Sequence, residues 1–153
     1  MNSINLLRAL LRRAENERDE ALGAMRQAEA LVAQAQAQAK QLQDYRSEFD
    51  QRWMTRFQAS GTPELLHCHS GFGQRLNQAI TVQDNNASQL GNRVQRARAA
   101  LLAREQRVAA VRKLIERREA ELQKIAARRD QRSTDEAAQR AHGAAEFRSS
   151  SRH

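Results

Sequence analysis

Disulfides, turn residues and aromatic rings are all scarce in this chain. Its 153 residues include one cysteine, one proline, six glycines and six aromatic side chains. A single cysteine cannot form an internal disulfide, which argues against a disulfide-stapled secreted domain and fits a reducing cytosol. Valine and isoleucine total nine, too few for a β-sandwich or a parallel α/β sheet. No stretch approaches the roughly 18 apolar residues of a membrane span. The layout of a secretory leader is also missing from residues 1–13, because Arg8 interrupts their apolar stretch. The chain contains no P-loop, no dinucleotide-binding glycine pattern and no HExxH. His67-Cys68-His69 is the only cluster of metal-ligating types, and three adjacent residues cannot readily wrap one zinc ion. No serine or cysteine has a credible histidine base beside it. Neither a catalytic site, a metal nor a cofactor is therefore expected.

What the chain has in quantity is helix formers. Alanine supplies 27 residues, arginine 23 and glutamine 17. A heptad frame that takes Ile4 as a and Leu7 as d runs without slippage to Arg56. Its a positions are Ile4, Leu11, Arg18, Met25, Val32, Ala39, Arg46 and Trp53. Its d positions are Leu7, Ala14, Ala21, Ala28, Ala35, Leu42, Phe49 and Arg56. Thirteen of these sixteen are apolar, far beyond the three or four heptads that define a coiled coil. The alanine-rich middle should let a partner helix approach closely, and Ser3 is placed to cap the start.

A second helix follows a compact break. Gly61 is expected to close the first helix in a left-handed conformation. Thr62-Pro63-Glu64 then reads as N-cap, first-turn proline and first-turn carboxylate, with Gly71 and Gly73 weakening the turns that follow. From Ile80 the a positions are apolar through Ala87, Val94, Leu101, Val108, Ile115 and Leu122. The d positions are poorer, with Gln83, Arg104 and Arg118 among them, and fraying or bending is expected at the two arginines. So short a linker makes the helices antiparallel. The fold class is all-α, a long antiparallel two-helix coiled-coil hairpin with a C-terminal overhang, a rod of roughly 80 Å at 1.5 Å per residue. The expected divisions are residues 1–60 for the first helix, 61–72 for the turn and start of the second, 73–132 for the second coiled-coil helix, and 133–153 for the helix end and tail. Counting about the turn pairs Ile4 with a residue near 118, so Glu119 to Arg140 should overhang. The polar stretch from Gly143 is expected to be disordered.

Charge and aromatics mark the candidate surfaces. Residues 1–72 balance nine basic against nine acidic side chains, whereas residues 73–153 hold seventeen basic and nine acidic. The whole net charge of +8 therefore lies in the second half. It could serve as a solvated, ion-paired face or attract an acidic protein surface, nucleic acid or anionic lipid. Nucleic acid is not the expected partner, since stacking rings and recognition motifs are lacking. Tyr45, Phe49, Trp53, Phe57 and Phe72 fall in one 28-residue window and meet near the turn of an antiparallel hairpin. They either fill the space left by the turn or present part of the cluster outward as a protein anchor.

Three local motifs stand out: Asp44-Tyr45-Arg46-Ser47-Glu48-Phe49, a DYxxEΦ segment; Phe72, Leu76, Ala79, Ile80 and Thr81, an FxxxLxxAIT stretch; and Asp135-Glu136 with Ala138, Gln139, Arg140 and Ala141, a DExAQRA element. In these motifs, their order and its two-helix layout the chain resembles, over nearly its whole length, the FliJ family of flagellar type III export proteins and their virulence-secretion relatives. The resemblance implies a non-enzymatic stalk similar to the rotary ATP synthase gamma subunit. Such a stalk would insert into the hexameric export ATPase, promote its assembly and activity, bind the export-gate linker and escort empty export chaperones. Its place would be the cytoplasmic face of the inner membrane. Carried over residue by residue, Phe72, Leu76 and Ala79 would bind the gate, while the family's usual histidine one turn further on is Gln83 here. ATPase contacts would involve Arg117, Arg118, Arg128, Arg129 and Arg140, chosen on charge and position. Two other classes stay open: a basic coiled-coil adaptor for nucleic acid or an acidic protein surface, and a homodimer of straight helices.

Overall fold

The structure, a computed structural model, describes residues 3–152. It consists of two helices, α1 (Ser3–Ser60) and α2 (Pro63–Ser150), joined by a break of two residues. No strand occurs among the described residues. The helices pack against each other as an antiparallel hairpin, and contacts divide the chain into two compact units.

One unit, Glu15–Glu105, contains the turn. Proline at N1 lacks only an amide hydrogen that would have no intrahelical partner anyway. Thr62 caps α2 as its sequence predicts: its hydroxyl accepts the Leu65 amide at 3.3 Å, and its carbonyl accepts the Leu66 amide at 3.1 Å. Gly61 departs from expectation, because no described residue has a positive φ. Its role is steric. A Cβ at Gly61 would lie 2.9 Å from Cε2 of Phe57, so hydrogen at this position lets that ring fold over the turn. Gly71 and Gly73 are taken into α2 without interrupting it.

Within this unit three cross-helix pairs lie at nearly equal distances from the turn along the two helices. Phe49 meets Phe72, Gln38 bonds Gln83 and Glu17 pairs with Arg104. Ala28, Ala35 and Ala39 of α1 are buried, as are Leu76, Val94 and Leu101 of α2. Small side chains on one helix and branched ones on the other bring the backbones close while keeping the seam filled. The polar d residue Gln83 also joins the seam, its amide donating to the Ala35 carbonyl at 3.4 Å and to Gln38 Oε1 at 3.1 Å. A buried leucine is worth about 1.5–3 kcal/mol, against at most about 1 kcal/mol for an exposed ion pair such as Glu29–Arg98. The apolar stripe therefore dominates the stability.

The other unit joins the α1 residues up to Ala14 with α2 from Gln106 onward. Ile4 and Ala14 of α1, with Val108 and Ile115 of α2, form its core. Ser3 pairs with Arg118, matching the expected register. The Ser3 hydroxyl accepts from Arg118 Nε at 3.0 Å, so it ties the two helices together where a helix cap was expected. Arg118 also donates to Glu121 at 3.2 Å; in the unit that contains the turn, Arg104 likewise donates to Glu17 at 2.9 Å. Fraying was expected at these two arginines, yet α2 passes both without interruption. Each long side chain carries its charge out to a carboxylate or hydroxyl while its stem stays beside the seam.

Beyond Leu122 every described residue of α2 is exposed, so the overhang begins a few residues later than the expected Glu119, which still reaches Arg8 of α1 at 3.6 Å. The tail is a further correction: α2 continues to Ser150, well past Gly143. Helix formers such as Ala144, Ala145 and Glu146 account for this. So do i,i+4 contacts, Glu136–Arg140 at 3.9 Å and His142–Glu146 at 3.1 Å.

Candidate functional site

Two surfaces carry the residues that the sequence marks, one in each unit. The first lies near the turn. Tyr45, Phe49, Trp53 and Phe57 follow one another at four-residue intervals along α1, so they form one ridge of the helix. α2 answers with Phe72 and His69. The Phe72 ring stands edge-on to Tyr45 with centroids 6.5 Å apart and tilts against Phe49 at 4.7 Å. His69 stacks on Phe49 at 5.1 Å and on Trp53 at 4.4 Å, its plane within 20° of both. Trp53 in turn faces Phe57 at 6.2 Å. Rings from the two helices thus form one continuous ladder.

The aromatics divide between the hairpin interior and its surface. Phe49 and Trp53 are half-buried and fill the hairpin, while Tyr45, Phe57 and Phe72 are exposed. Of the three residues implied for gate binding, Phe72 and Ala79 are exposed, whereas Leu76 is buried in the seam. Leu76 therefore supports this surface from beneath.

His69 is the member that sequence reasoning passed over. Its Nε2 is buried without a hydrogen-bond partner; the nearest carboxylate oxygen, on Asp50, is 3.6 Å away, beyond hydrogen-bond length. Asp50 is shared with Arg46, also at 3.6 Å. A signal was present in the sequence: His69 lies one heptad before Leu76 and so occupies a d position. His67 and Cys68 are exposed, and no group of three metal-ligating side chains is assembled among the described residues.

The second surface is basic. Arg117 and Arg118 line an open groove with Ser3, Leu6, Leu7, Leu114 and Glu121. Leu6 and Leu114 are exposed there, so the groove combines apolar floor and positive rim. Arg128 lines a shallower, polar depression with Gln131, Arg132, Asp135, Glu136 and Gln139. Arg129 is exposed, and Arg140 stands beside Glu136. The five candidate arginines do not converge on one point. Two of them lie where α2 still meets α1 and three on the exposed stretch beyond Leu122, a spread that suits a long charged contact more than a compact pocket. No helix among the described residues is long and apolar enough to cross a membrane.

Comparison with known families gives one match: the family described as Flagellar FliJ protein, over residues 4–146. No curated protein and no solved structure matches the chain.

Proposed function

Because the chain belongs to the flagellar FliJ protein family, we propose that it is a non-enzymatic component of flagellar type III protein export. It binds the hexameric export ATPase, promotes assembly and activity of that ring, and links it to the linker of the export-gate membrane protein. It also receives empty export chaperones, and it acts at the cytoplasmic face of the inner membrane.

One observation carries the reading: α2 outruns α1 as a wholly exposed, arginine-rich helix beyond Leu122. A helix with no intramolecular partner over so many turns gains little stability from its own chain. Its value lies in what it inserts into or lies upon. Arg128, Arg129 and Arg140 on this helix, with Arg117 and Arg118 just before it, are the contacts with the ATPase. The gate linker is assigned to the Phe72 face, where an exposed ring rests on Tyr45 and Phe49, with Ala79 exposed nearby and Leu76 beneath. Aromatic anchors of this sort supply much of an interface's energy. No catalytic residue is needed, because force and register pass through packed helices.

The test is ATP hydrolysis by the export ATPase with and without this protein, alongside capture of the gate linker. Wild type and Phe72→Ala should stimulate hydrolysis equally, while Phe72→Ala should lose gate capture by about tenfold or more. Absence of both stimulation and ring co-assembly would overturn the reading.

A further inference from the structure

Beside the aromatic ridge of α1 runs a second ridge at the same spacing, Asp44, Glu48, Arg52 and Arg56. All four side chains are exposed. None of them forms an ion pair or a side-chain hydrogen bond among the described residues, although their neighbours Arg46 and Asp50 do pair. Along the helix the order is acid, acid, base, base. Read in the opposite direction it becomes base, base, acid, acid, so the ridge is complementary to itself reversed. An open depression lined by Phe49, Arg52, Trp53, Thr55 and Arg56 follows the two ridges, and Tyr45 and Phe57 stand exposed beside it.

We propose that residues 44–57 of α1 form a self-complementary docking surface whose occupant is a second, antiparallel copy of this chain. Asp44 then meets the second copy's Arg56, and Glu48 meets its Arg52. Symmetry repeats both pairs, and the two-fold axis passes level with Asp50. Ridges formed by every fourth residue are inclined about 26° to the helix axis, so two copies crossing at about 50° bring their ridges side by side. The same patch serves on both copies, which is the geometry of an isologous two-fold contact. A parallel copy would face like charge with like and is excluded by repulsion.

The charge order also selects this occupant over others. The row has no net charge, so an acidic protein, a nucleic acid or an anionic membrane gains from Arg52 and Arg56 only by opposing Asp44 and Glu48. Phe72 packs on Tyr45 and Phe49, so a second copy would compete with the gate linker for adjoining surface. That consequence rests on the gate reading; the dimer does not.

Sedimentation equilibrium of the full chain across a concentration series tests the proposal. Wild type should approach twice the monomer mass. Arg52→Glu/Arg56→Glu makes the row wholly acidic and Asp44→Arg/Glu48→Arg makes it wholly basic. Each variant should weaken self-association by at least about tenfold. An equimolar mixture of the two should recover a heterodimer, and the fourfold exchange, acid-for-base at all four positions, should recover a homodimer. All substitutions are at exposed sites, and unchanged helical circular dichroism confirms folding in each case. Two results overturn the proposal: a wild type that stays monomeric at millimolar concentration, or a dimer whose strength ignores the charge reversals and whose reversed variants fail to pair.

Discussion

At the turn, individual side chains decide where one helix stops and the next begins. Thr62 satisfies the Leu65 amide with its hydroxyl, Pro63 supplies a preset φ, and Gly61 leaves room for the Phe57 ring. Of these, the cap can be isolated most cleanly, because Thr62 is exposed. Thr62→Ala should lower stability by about 1 kcal/mol in urea unfolding, whereas Thr62→Ser should stay near wild type. The sequence discloses the cap because Thr-Pro-Glu is a local signal. The use made of Gly61 is different. Glycine is chosen here for the space the Phe57 ring needs, and that need arises only once the ring has folded over the break.

On the scale of the two helices, the heptad frame accounts for nearly every buried position. Among the a and d residues of α1 only Arg56 is exposed, and on α2 only Arg104 and Ile125. Arg104 illustrates how the two energies compare. It trades an apolar d contact for an exposed pair with Glu17 at 2.9 Å. Such pairs contribute at most about 1 kcal/mol, while burying a leucine contributes about 1.5–3 kcal/mol. Arg104→Leu should therefore raise stability by about 1 kcal/mol, read as a higher urea midpoint with an unchanged slope. A lower midpoint would mean that Glu17 depends on this arginine more than surface pairs usually do. The division between the compact units falls just after this residue, between Glu105 and Gln106, where the apolar stripe is interrupted. Burial of Leu76 is legible from the same frame. Its family-derived assignment to a binding patch is not, since a d position and a surface position cannot both be served by one side chain.

Across the whole chain, the buried seam and the exposed arginine-rich stretch occupy different parts of α2. Everything beyond Leu122 is exposed and adds nothing to the seam, although it holds Arg128, Arg129 and Arg140. Deleting residues 126–153 should shift the melting midpoint by no more than about 2 °C, while lowering total helical ellipticity. On the proposed function, the same deletion should abolish stimulation of the export ATPase without affecting capture by the gate linker. A large fall in the midpoint would place part of the core in a stretch that the structure shows exposed.

Helical class, the break near Gly61, the antiparallel pairing and the buried face of each helix were all determined by the sequence itself. These properties rest on local spacing: a 3.5-residue period, a cap with its proline, and too few β-branched residues for sheet. Family membership was legible for the same reason, because its motifs are short and contiguous. Only the tertiary structure decided that His69 stacks between Phe49 and Trp53, that Ser3 holds Arg118, that Arg104 finds Glu17 and that Phe72 keeps an exposed edge. Each of these joins residues far apart in the chain but equally distant from the turn, or nearly so. Their contact depends on register accumulated along two helices, and on which side of the seam each ring or guanidinium finds room.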